Sequence, residues 1–159
     1  MCFKYLLVLA LSPVLAVFLN SQTFAMGGKP EVKPIEKVTE IDAAPASAMT
    51  LKELAHIYWP DSDATQLQRE ETLKKLLGKK VAWEITVAQI QRDGDGYLIQ
   101  GQSDKDMLGT FSYVKPRNNA DEEQIQKARM GDTLPIVGIV KDMDMRHIIL
   151  QPAFIQSGN

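Results

Sequence analysis

The chain has 159 residues, a formal net charge of −2 and 24% charged side chains. That length supports one modest domain with a real but not large core. The acidic balance argues against a dedicated nucleic-acid binder, which concentrates basic charge on one face. The single cysteine, Cys2, excludes an internal disulfide and a cysteine-based metal site.

Residues 1–25 read as a secretory leader. Lys4 gives a short basic start, Tyr5 to Leu19 is almost wholly apolar, and Thr23-Phe24-Ala25 offers small residues at both positions a signal peptidase needs. The apolar run is shorter than the roughly 20 residues of a spanning helix, and Pro13 interrupts it. Cleavage after Ala25 removes Cys2 and one positive charge, and sends the remainder to the periplasm or the medium. A leader kept as an anchor is the alternative. Residues 26–49 carry prolines, alternating charges and few large apolar groups, so they are expected to form a disordered linker.

A helical preface is expected over residues 50–78. Thr50 and Glu53 form a capping box ahead of Leu51, Leu54, Ala55 and Tyr58 at helical spacing, and Pro60 ends that helix. A second helix is expected from near Asp63, with Leu67, Leu73, Leu76 and Leu77, closing on a left-handed Gly78. Leu54, Leu67, Leu73 and Leu76 are expected to face inward.

From residue 79 to 156 the period becomes two. Val81, Trp83, Ile85 and Val87 alternate with Ala82, Glu84 and Thr86, a half-buried strand. Arg92-Asp93-Gly94-Asp95-Gly96 is turn chemistry, and 97–101 is the returning strand. A third strand fits 109–114. A helix over 120–130 follows, capped by Asn118 or Asn119, with Glu122 and Glu123 in its first turn. Two more strands fit 134–140 and 147–150. The fold class is therefore mainly β: a five-stranded barrel of the oligonucleotide/oligosaccharide-binding (OB) layout, with a helix between strands three and four.

Three stretches carry a family resemblance: Gly78-Lys79-Lys80-Val81-Ala82-Trp83, the run from Gly131 to Val140, and Ile148-Ile149-Leu150-Gln151-Pro152-Ala153-Phe154-Ile155. Together they resemble small exported bacterial OB-fold proteins, including the tRNA-anticodon-like and bacterial periplasmic OB groups. The resemblance spans roughly residues 78–156. It implies a binding module and carries no catalytic residue with it.

OB barrels commonly bind on strands two and three, beside the loops joining strands one to two and four to five. Tyr97, Phe111 and Tyr113 are the aromatic candidates for ligand binding there, with Arg92 and Arg146 from the two loops. Alternation puts Phe111 and Tyr113 on one face; because interiors need large residues, core is the expected place for both. The two loops also carry Asp93 and Asp95, and Asp142 and Asp144. Gathered at one barrel end, four carboxylates would suit Ca²⁺, although Asp is an ordinary turn residue. Met143-Asp144-Met145-Arg146-His147 offers two thioethers and an imidazole, a soft set for Cu(I) or Ag(I). That run resembles part of the site in small periplasmic copper carriers of OB fold, which place it on an earlier strand.

Neither a nucleophile elbow nor a paired-histidine zinc motif stands in the sequence. The expectation is a non-enzymatic, exported module without a resident cofactor that binds an envelope protein, peptide or glycan. A copper carrier using Met143, Met145 and His147 is the second reading, and a single-stranded nucleic-acid binder the third.

Overall fold

The computed structural model describes residues 36–104, 108–144 and 146–156. The expected leader, the first part of the linker and Met145 lie outside them. The described residues form four helices and five strands: α1 (Glu36–Ala43), α2 (Leu51–Tyr58), α3 (Gln66–Leu76), β1 (Lys80–Asp93), β2 (Gly96–Gly101), β3 (Gly109–Val114), α4 (Asn119–Lys127), β4 (Thr133–Asp144) and β5 (His147–Ile155).

The expected linker is ordered from residue 36 on, where α1 begins. Ile41 of α1 is 1% exposed and packs with Val137, Phe154 and Ile139. Farther on, Lys80 N–H donates to Pro45 O at 2.9 Å, and Ser47 N–H donates to Lys80 O at 2.8 Å. One buried isoleucine and a short run of backbone pairing hold this segment. Composition alone registers neither.

Both preface helices start on capping boxes. Thr50 Oγ1 accepts from Glu53 N–H at 3.2 Å while Glu53 Oε2 accepts from Thr50 N–H at 2.7 Å. Those bonds to Thr50 hold the Glu53 carboxyl below its ordinary value. The second box is Thr65 with Gln68, so α3 begins two residues later than Asp63 suggests. Leu67 then points outward, 64% exposed, and Leu73 is half-buried. Gly78 closes the preface at φ 72, a conformation glycine adopts without a Cβ penalty. Its N–H donates to Val140 O at 2.8 Å, tying the helices to β4.

The strands close into a barrel in the order β1-β2-β3-β5-β4. β1 serves both flanks: Lys80–Thr86 pairs with β4, and Val87–Asp93 with β2, across an irregularity between Val87 and Gln89. The β3–β5 pairing is parallel and completes the ring. Val81, Trp83, Ile85 and Val87 face the interior as the alternation requires. Leu51, Leu54, Ala55 and Leu76 belong to the same apolar cluster, as does Ile125 of α4. Trp83 Nε1 donates to Met49 O at 2.9 Å, so the indole is both core and anchor for the preface.

Asp121 has no counterpart in the sequence reading. It lies in the first turn of α4 and is 0% exposed. Its Oδ2 accepts from Arg117 N–H and Arg117 Nε, both at 3.0 Å. Arg117 also covers the Phe154 ring, 4.2 Å from its centroid.

Candidate binding face

Cross-strand register assembles one outer face from four strands. Gln91 lies opposite Leu98, and Leu98 opposite Tyr113. The next row is Gln89, Gln100, Phe111 and Ile149. Opposed residues on neighbouring strands point the same way, so these side chains share the surface away from the core. Phe111 and Tyr113 are half-buried here, which corrects the expectation that they are core. The interior side of β3 is instead Thr110, Ser112 and Val114, each 0–1% exposed.

Crowding explains that inversion. A Cβ on Gly101 would fall 2.8 Å from Ile85 Cγ2 and closer still to the Thr110 hydroxyl. With backbone and side chains this near, small residues fit the interior side of β3 and aromatic rings do not. The rings take the outside.

His147 completes the face. Its imidazole stacks on Phe111 with centroids 4.6 Å apart and planes 20° apart. The ring lies over Gly109, where a Cβ would be 2.6 Å from His147 Nε2. Gly109→Ala is therefore expected to push the imidazole off Phe111 while leaving the barrel core in place. The measurement is the His147 ring-proton NMR shift, which should lose its aromatic upfield displacement; an unmoved shift would contradict the packing.

Beyond Tyr113 the face runs into a small pocket lined by Asp93, Asp95, Tyr113, Lys115, Gln151 and Pro152, among others. Lys115 and Asp95 form an ion pair across its mouth. Gln151 Oε1 accepts from Lys141 Nζ at 2.7 Å.

Other candidates are dispersed. Tyr97 is 6% exposed inside the barrel, and its hydroxyl donates to Glu122 Oε1 at 3.0 Å. Arg92 turns to the same place, donating to Tyr97 Oη at 2.9 Å. Neither reaches the outer face. Arg146 stacks over Trp59, 4.1 Å from the ring centroid.

The four aspartates do not converge. Asp93 pairs with Gly96 beyond the Val114 end of β3, whereas Asp144 pairs with His147, which lies opposite Gly109 at the other end. Among the described residues no group of three or more His, Cys, Asp or Glu side chains could hold a metal ion. Of the copper set, Met143 and His147 are among the described residues and face different ways. Met143 lies opposite the buried Ile148 and packs on the core, while His147 faces outward onto Phe111.

Gln89, Gln91 and Gln100 are face residues the sequence reading missed. The signal for Gln89 and Gln91 was the continued alternation around Ile90, which packs on the core.

A closed five-stranded barrel in this order, with a helix between the third and fourth strands, defines an OB-type barrel. No protein-family model matches the chain, and no curated protein does. Among solved structures, the chain is similar to the OBody AM3L09 bound to hen egg-white lysozyme. The identity is 16% and the TM-score 0.35, over 57% of this chain and 92% of that one. It is also similar to an aspartyl-tRNA synthetase of Leishmania major Friedlin, at 10% identity and TM-score 0.37. That match covers 76% of this chain and only 25% of the synthetase.

Proposed function

We propose that this chain is an exported, non-catalytic OB-barrel module that binds an uncharged glycan of the cell envelope on the outer β1–β2–β3–β5 face. The carrying observation is the pairing of two half-exposed rings, Phe111 and Tyr113, with the amides of Gln89, Gln91 and Gln100 on one surface. Sugar rings present apolar C–H faces to aromatic rings and hydroxyls to amides, which both donate and accept. The location on strands two and three agrees with general OB usage, a fold-level analogy. No cationic side chain stands in the two rows of this face among the described residues. A phosphate backbone would need such charge, so nucleic acid is disfavoured. The leader-like sequence of residues 1–25 supports export.

The experiment is a neutral-oligosaccharide array, followed by calorimetry of any hit with the native chain, Phe111→Ala and Tyr113→Ala. Each ring is expected to contribute about 1–2 kcal/mol, the scale of aromatic stacking. Each substitution should then weaken binding roughly five- to thirtyfold with little loss of stability. Absence of any hit, or a hit indifferent to both substitutions, sinks the reading. Export is checked separately by the N-terminal residue of the fractionated protein, expected to be Met26.

A further inference from the structure

Arg146 combines three observations at one residue. It holds φ at 70 in the β4–β5 turn, the left-handed region that costs a non-glycine residue about 1–2 kcal/mol. Its guanidinium lies on the Trp59 ring. Its Nε and Nη2 are shielded from solvent and have no hydrogen-bond partner among the described residues.

A second arginine meets the same tryptophan. Arg69 Nη2 donates to Trp59 O at 3.3 Å, and Arg69 Nε is also shielded and unpartnered. Arg92, Lys115, Arg117 and Lys127 each pair with a carboxylate. Neither Arg69 nor Arg146 does so among the described residues. Two positive charges therefore meet one tryptophan with no carboxylate at ion-pair distance among the described residues.

The chemistry of the unused atoms is specific. Nε and Nη2 lie on one edge of the planar guanidinium, the edge that makes two parallel N–H···O bonds to a carboxylate or phosphate group. Buried donors are normally satisfied, and each one left alone costs on the order of 1–3 kcal/mol. Water can satisfy such donors but leaves both charges unmatched. An oxyanion supplies acceptors and charge together.

We infer that the Nε–Nη2 edge of Arg146, whose guanidinium is backed by Trp59, is a binding site for an oxyanion presenting two coplanar oxygens: a carboxylate or phosphate group. Phe111 and Tyr113 take no part, so this site stands or falls apart from the glycan face.

The test titrates the full chain with sodium acetate and, separately, with inorganic phosphate at constant ionic strength, following tryptophan fluorescence. A saturable change is expected with at least one. Acetate alone identifies a carboxylate site, phosphate alone a phosphate site. Trp59→Phe should abolish the change, since Trp83 is buried with its Nε1 already bonded. Arg146→Lys keeps the charge without the fork and should raise the half-saturation point about tenfold. Arg146→Gly suits the left-handed backbone, so the chain should fold normally and lose the response. No saturable change with either anion, an equal response to chloride, or an unaltered response in Arg146→Gly overturns the inference.

Discussion

Asp121→Ala is expected to lower unfolding stability by about 3 kcal/mol, the lower end of what breaking a buried ion pair does. Asp121 is fully buried and receives two donors from Arg117. The carboxylate also lies in the first turn of α4, where negative charge meets the helix N-terminus. The Arg117 side chain keeps 29% of its exposure, so it recovers part of its hydration once its partner is gone. That recovery places the effect at the lower end. Asp121→Asn retains an acceptor without the charge and should fall between the native chain and the alanine variant. Urea denaturation followed by tryptophan fluorescence measures both. Losses below about 1 kcal/mol in the alanine variant would mean that the pair contributes no more than an exposed one.

The same region marks where sequence reading stops. The first turn of α4 holds Asp121 and Glu122, one residue earlier than the expected Glu122 and Glu123. A carboxylate near a helix start looks alike in sequence whether solvated or buried; the Arg117 bonds set Asp121 apart from the exposed Glu123. Glu123 is exposed, and its carboxyl is held below the ordinary value by Lys127 one turn on. The barrel itself was legible because Val81, Trp83, Ile85 and Val87 alternate cleanly and because Gly78 and Gly131 mark helix-to-strand junctions. The binding face was half legible. Alternation requires Phe111 and Tyr113 to share a side, yet hydrophobicity chose the wrong one. The deciding quantity was interior space beside Gly101 and Ile85, which no local pattern encodes. Arg146 on Trp59 is a tertiary pairing between distant residues that no local pattern signals, whereas Arg92 on Tyr97 is a cross-strand pair of the β1–β2 hairpin. The β4–β5 turn shows how neighbours in sequence can part in space. Met143 and His147 are close in sequence, but one packs on the core and the other stacks on Phe111.

Leu54→Ala is expected to destabilise the chain by about 3 kcal/mol, within the range for truncating a fully buried leucine. The side chain is 0% exposed and lies in one apolar cluster with Trp83, Ile148 and Leu150 of the barrel. Removing it leaves a cavity that α2 can only partly close, because Gly78 to Val140 and Trp83 to Met49 fix the preface at both ends. Leu67→Ala is the internal control. That leucine is 64% exposed, and its loss should stay within about 0.5 kcal/mol. Both are read from urea midpoints at unchanged slope. Against the usual 5–15 kcal/mol of a domain's stability, the Leu54 effect makes α2 part of the barrel's core. A chain beginning at Gly78 would then lose Leu51, Leu54, Ala55 and Leu76 from the core cluster and be strongly destabilised. If Leu54→Ala proved as mild as Leu67→Ala, the preface would be a docked appendage rather than part of the core.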